Sequence, residues 1–231
     1  MQQSNIEPYF AEIQRMKELY GERLEIYAGL EMDYLETTGQ LIGMEYRDRL
    51  DYTIASVHMI KHRYSDRYLT VDGPMDEFEL LLNDNFKGDI QALAAYYYHL
   101  EETLIERFPF DLLGHCDLIK KRNKGNRFFN QDEDWYRKLA FHMLQTAHEH
   151  GKRIEVNTGG LSSEATSEVY PSMAMLRHSC LLGIPVALSA DAHKSLHIDF
   201  YFEQALQELK SAGYREIDSL SHGKWQAFPI V

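Results

Sequence analysis

Acidic residues and histidines recur in this chain at the ends of short apolar runs. AGLEMDYL carries Glu31 and Asp33, ASVHMI carries His58, LLGHCDLI carries His115 and Asp117, IEVNTGG carries Glu155 and Asn157, and ALSADAH carries Asp191 and His193. Singly, such residues are more often hydrogen-bonded rim groups than ligands. Together they put bulky polar groups where a buried strand should be apolar, and buried charges are costly unless paired or bound to metal. Imidazole and carboxylate donors without thiolate suit Zn, Mn or Fe(II), and a glutamate can bridge two ions. Such ions turn water into hydroxide near neutral pH and neutralise a phosphoryl group during in-line attack, so phosphoester hydrolysis is the expected chemistry. Cys116 follows His115 directly, so in a strand it would face the opposite side and belong to the core.

For these residues to meet, the runs that carry them must be strands of one sheet. Four helical stretches close on Gly21, Gly151, Gly183 and Gly213, and a β-rich run follows each glycine. Glycine past a helix end supplies a left-handed residue that closes the last turn. The helices are amphipathic: Phe10, Ile13, Met16 and Leu19 share one spacing, and Leu139, Met143, Leu144 and Ala147 another. A longer helix spans residues 89–107 ahead of Phe108-Pro109, and YTIASVHMI reads as a further strand. This alternation predicts a parallel α/β sheet covered by helices, open or closed into a barrel. In such sheets the C-terminal strand ends share one mouth, where these acids and histidines would converge. EIDSLSHGKWQAFPIV, with His-Gly at its centre, reads as a C-terminal hairpin appended to the sheet.

The 231 residues fit one α/β barrel domain, 1–231, and 44% hydrophobic with 26% charged residues is an ordinary globular balance. A net charge of -12 disfavours nucleic-acid phosphates as partners. No apolar run is long enough to cross a bilayer, and the opening MQQSNIEPYF has no signal-peptide pattern. Two cysteines without CxxC spacing suit a reducing cytoplasm. No GxGxxG, GxxxxGK[ST] or GxSxG motif is present, which removes nucleotide cradling and serine hydrolysis. The remaining histidines, His62, His99, His142, His148, His150, His178, His197 and His222, read as solvated or packed, His62 in a basic loop.

The segments GLEMDYL, SVHMI, GHCDLIKK, EVNTGGL and SADAH, in this order and spacing, resemble the histidinol-phosphatase branch of the PHP (polymerase and histidinol phosphatase) metallohydrolases. The resemblance implies a distorted, TIM-like β/α barrel with two or three divalent metal ions, Zn, Mn or Fe, at its strand ends. It implies hydrolysis of L-histidinol phosphate to histidinol and phosphate in histidine biosynthesis. Carried over by motif, it implies Glu31, His58, His115, Asp191 and His193 as metal ligands. Asp191 and His193 would manage protons, and Asn157 would orient a ligand or the substrate. The family's first strands, with their His-x-His, have no counterpart here, so the expectation is an N-terminally incomplete barrel with fewer metals, a raw sheet edge and a tendency to homodimerise. Ser162 stands where the family has an arginine after Gly-Leu, which shifts phosphate recognition toward Lys120, Lys121 or Arg122, a run otherwise read as a solvated loop. Two alternatives follow: another small phosphate ester as substrate, or a non-catalytic metal-binding domain.

Overall fold

The structure is a computed structural model and describes residues 5–231. The first elements among the described residues are α1 (Ile6–Tyr20), β1 (Gly29–Leu35) and β2 (Gln40–Leu41). The segment read as one strand from Tyr52 breaks at Val57-His58 into β3 (Tyr52–Ser56) and β4 (Met59–Lys61), and β4 pairs with β5 (Tyr68–Thr70). Next come α2 (Met75–Phe86), α3 (Ile90–Arg107) and β6 (Leu112–Leu113). The chain continues through α4 (Asp134–Glu149), β7 (Arg153–Asn157), the single turn α5 (Gly159–Ser162), α6 (Met173–Leu182) and β8 (Val186–Ser189). It ends in α7 (Phe202–Ala212), β9 (Glu216–Ser221) and β10 (Lys224–Pro229). Among the described residues no helix is long and apolar enough to cross a membrane.

The boundaries follow from local chemistry. Asp89, the first residue of the expected long helix, is its N-cap: its carboxylate accepts from Gln91 N at 3.0 Å and Ala92 N at 3.1 Å. Of the four expected glycine closures, Gly151, Gly183 and Gly213 adopt positive φ, whereas Gly21 stays right-handed at φ -59. No strand follows Gly21 at once; residues 22–28 lead to β1, which begins at Gly29.

The six-stranded sheet has the order β2-β1-β3-β6-β7-β8. Every pairing from β1 to β8 is parallel, and β2 caps only the end of β1, through Tyr34↔Leu41 and Leu35↔Gln40. Asp33 is level with Ser56, and Ala55 with Leu113, so the segments carrying His58 and His115 leave the sheet on the same side as Glu31. The sheet curls. Gly29, Leu30 and Glu31 of β1 line the same cavity, of about 370 Å³, as Ser189 at the end of β8, although these strands stand far apart in the sheet order.

Apolar faces of α3 and α4 pack on the sheet in one buried core that includes Met32, Ala55, Leu113, Ile154, Val186, Leu104 and Leu144. The expected hairpin is present, with the turn at His222-Gly223, but β9 and β10 form a two-stranded sheet of their own. Trp225 meets Tyr52 edge-on with ring centroids 6.3 Å apart. His222 N donates to Glu25 Oε2 at 3.0 Å and Gly223 N to Tyr27 Oη at 3.2 Å, which fastens the hairpin to the segment before β1.

Candidate metal centre

Glu31, His58 and His115 converge at the sheet's C-terminal mouth, with one potential ligand atom from each lying within 4.8 Å of the others. Glu31 projects from β1, His58 from the β3–β4 break and His115 from the loop after β6. Glu31 Oε1 is 3.0 Å from His115 Nε2 and 3.5 Å from His58 Nε2, and it accepts from Ser56 Oγ at 2.8 Å. Asp33 Oδ1 lies 2.5 Å from His58 Nδ1, so this carboxylate can hold the Nδ1 proton and leave the Nε2 lone pair facing inward. His115 N donates to Glu155 Oε2 at 2.9 Å, and Asn157 Nδ2 donates to the same oxygen at 3.2 Å, which ties the ligand loop to β7.

Electrostatics suit a cation. Burial would raise the Glu31 carboxyl, but the hydrogen bond and charge of His115, with His58 and Ser56, outweigh it and hold Glu31 down at about 2. Burial would lower His115, yet its hydrogen bond to Glu31 and the charges of Glu155, Glu31 and Asp191 raise it to about 9. Positive charge is therefore wanted between these groups, and two imidazoles with one carboxylate form a donor set that fits Zn, Mn or Fe(II).

The triad opens into a cavity of about 420 Å³ whose walls also include Asp72, Lys121, Ser162, Asp191 and His193. Asp191 has φ 47 and comes close to the backbone at Gly159, where a Cβ would lie 3.1 Å from Asp191 Oδ2. His193 is exposed at the rim, with Nδ1 3.0 Å from the Asp191 carbonyl oxygen. Gly114 has a similar function beside His115: a Cβ there would sit 2.2 Å from Ser56 Oγ and 2.9 Å from Ile54 Cγ2.

Residues 2–159 match the PHP domain family, well over half of the chain. The chain belongs to the PHP domain family. A relative named probable histidinol-phosphatase, from Deinococcus radiodurans, is 30% identical over 230 residues, covering 98% of this chain and 79% of that protein. The histidinol-phosphatase of Bacillus subtilis is 28% identical over 214 residues, covering 90% of this chain and 78% of its own length. Among solved structures, a Listeria monocytogenes protein assigned to the histidinol phosphatases superposes with a TM-score of 0.74 at 22% identity, over 88% of this chain and 77% of that one. The histidinol phosphate phosphatase of Lactococcus lactis, complexed with zinc, L-histidinol and phosphate, gives 0.62 at 20%, over 96% and 80%.

In this PHP chain the structure brings Glu31, His58 and His115 together, with Asp191 and His193 in the same cavity. Asn157 is buried and lines the neighbouring cavity with Glu31 and Asp191, while its Oδ1 accepts from Gly159 N at 2.7 Å. Arg122 does not line the mouth; its guanidinium donates to the Asp72 carbonyl oxygen at 2.7 Å.

Several sequence expectations need correction. Asp117 does not join the cluster: β6 ends at Leu113, strand alternation lapses, and Asp117 turns inward to the ammonium of Lys120 at 2.8 Å and to Ser172 N at 2.8 Å. The basic run is not a solvated loop, since Lys120 is 3% exposed and also reaches Glu168 at 3.1 Å. Cys116 is buried as expected, but from a loop rather than a strand. His62 is not loose either: its ring lies between Ser65 Oγ at 2.7 Å and Asp84 Oδ2 at 2.9 Å. His197, which carried no motif, lines the mouth with His193 and Lys194.

Sequence reading missed Asp72 and Ser56 as site residues. Asp72 follows Leu69 of β5 and Val71 just beyond it, the same signal that marked the other strand ends. Ser56 carried no signal of its own, because serine in a strand is unremarkable in type.

Proposed function

We propose that the chain is a cytoplasmic, metal-dependent phosphomonoesterase that hydrolyses L-histidinol phosphate to L-histidinol and phosphate in histidine biosynthesis. The observation that carries this is the Glu31–His58–His115 convergence inside a cavity large enough for a small phosphorylated substrate, in a chain aligned over nearly its whole length with histidinol-phosphatases. The net charge of -12 supports a small-molecule substrate over nucleic acid.

Glu31, His58 and His115 would hold a divalent ion, with Asp191 and His193 available as further ligands across the cavity. When bound, the ion supplies positive charge to the phosphoryl oxygens and lowers the pKa of water. The residues do the rest. Asp33 keeps His58 in its ligating tautomer, Ser56 orients Glu31, and Glu155 pins the backbone at His115. Where they are not taken up as ligands, Asp191 would take the proton of the attacking water, and the exposed His193 would protonate the departing alcohol oxygen.

The test is phosphate release from L-histidinol phosphate by the zinc- or manganese-loaded chain, beside Glu31→Gln and His115→Ala. Turnover that needs metal and falls at least about 100-fold in both folded variants supports the reading. Metal-loaded protein that releases no phosphate overturns it in favour of a non-catalytic domain. Ser162 on the cavity wall favours a second reading, in which another small phosphomonoester is the better substrate. A panel of monoesters in the same assay decides between them.

A further inference from the structure

Lys121 and Asp72 face the mouth as an opposed pair of charges. Lys121 Nζ lies 2.8 Å from Asp72 Oδ2, and their side chains keep 25% and 22% of their surface open. Both line the cavity that holds Glu31, His58 and His115. The flanking cations are committed elsewhere, Lys120 to Asp117 and Glu168, and Arg122 to the Asp72 carbonyl oxygen. Arg122 thus steadies the backbone of Asp72 while Lys121 steadies its carboxylate.

An ammonium has three donors, and Asp72 uses one of those on Lys121. The others can meet phosphate oxygens. The Asp72 carboxylate likewise retains acceptor capacity. We propose that Lys121 and Asp72 form a recognition pair for phosphomonoesters that bear an ammonium two carbons from the ester oxygen, Lys121 taking a phosphate oxygen and Asp72 the ammonium. The inference rests on the phosphomonoesterase reading of this site and names what the site selects. L-Histidinol phosphate has this pattern of charge. A substrate of this kind presents the same two charges in reversed order, so each group of the pair gains a partner without either charge being left buried alone.

Lys194 also lines the mouth and has no ion pair among the described residues, so it is the natural comparison. The experiment uses the zinc-loaded full chain with inorganic phosphate, 2-aminoethyl phosphate and ethyl phosphate as probes, read by calorimetry and by kcat/KM. Wild type should favour 2-aminoethyl over ethyl phosphate by about tenfold, and Asp72→Asn should bring that ratio near one with phosphate binding little changed. Asp72→Glu should restore part of the preference. Lys121→Met should weaken phosphate and both esters by about tenfold, whereas Lys194→Met should not. A wild type without preference, an unchanged ratio in Asp72→Asn, or phosphate binding that follows Lys194 overturns the proposal. If the ratio follows Asp72 in binding but no ester is hydrolysed, the phosphatase reading falls and the pair stands. If L-histidinol phosphate is hydrolysed with unaltered KM by both Asp72→Asn and Lys121→Met, the reverse holds.

Discussion

The Nε2 atoms of His58 and His115 face each other across 3.2 Å, with their rings nearly perpendicular and Glu31 Oε1 beside both. Two imidazole lone pairs so close repel unless something positive lies between them. Without metal that charge is a proton on His115, whose pKa is raised to about 9. Proton and metal therefore compete for one place. Zinc binding at pH 7 should release about one proton, and its affinity should rise with pH until His115 is neutral. Calorimetry in buffers of different ionisation enthalpy measures the release. Binding with no proton exchange would show that His115 is not a ligand.

The metal-free protein should show the opposite trend in stability. The folded pKa of His115 lies above its usual 6.5, so its contribution is complete below about 6.5 and disappears as pH rises through about 9. Saturating zinc should cancel that decline, as the ion takes over the role of the proton. Thermal melts from pH 6 to 10, with and without zinc, display the difference.

Glu101 on α3 is wholly buried, and burial raises its carboxyl to about 8 even though Tyr97 Oη donates to it at 2.7 Å. Its folded pKa exceeds the usual 4.5, so the fold loses stability as pH climbs from there through about 8. Glu101→Gln keeps an acceptor for Tyr97 and removes the ionisation. The variant should melt a few degrees above wild type at pH 9 and no higher at pH 5, with about 2–4 °C expected per kcal/mol in a chain of this size. Equal melting temperatures at pH 9 would mean that water reaches the carboxylate.

Asp33 should act on metal affinity without touching the ion. Asp33→Asn frees the His58 ring to rotate and to exchange tautomers, and loss of such a partner weakens metal binding by roughly 10–100-fold. Competition with a chromogenic chelator gives the affinity directly. An unchanged constant would show that packing alone orients His58.

Gly114→Ala forces a methyl into Ser56 Oγ and Ile54 Cγ2, so β3 and the His115 loop must separate. Overpacking of this kind costs about 1–3 kcal/mol. Because Ser56 also orients Glu31, zinc affinity should fall together with the denaturation midpoint. A stability loss with intact zinc affinity would separate the two effects.

How legible each residue was depends on what fixes its position. Glu31, His58 and His115 were readable because each ends an apolar run and parallel topology sends such ends to one mouth. Asp117 was misread because the periodicity of a strand was extended past Leu113, where backbone hydrogen bonding had already stopped. Lys120 looked solvated because its three-residue spacing from Asp117 is equally common on exposed faces, and its second partner, Glu168, is remote in sequence. His197 arrives from a loop whose course depends on the whole fold, and Asp72 follows a strand outside the parallel sheet, so the rule that gathers the other strand ends places neither. Gly21 shows the same limit at a helix end: glycine permits the left-handed turn without requiring it.

The hairpin held by Glu25 and Tyr27 also imposes an order on biosynthesis. The segments bearing Glu31, His58 and His115 leave the ribosome well before β8, and the clasp needs residues made after it. A nascent chain can therefore gather its first ligands early, while Asp191, His193 and the Trp225 ring against Tyr52 come later. Ribosome-bound chains halted once His115 has emerged should accordingly gain protease resistance when zinc is added, and those halted before His115 should not.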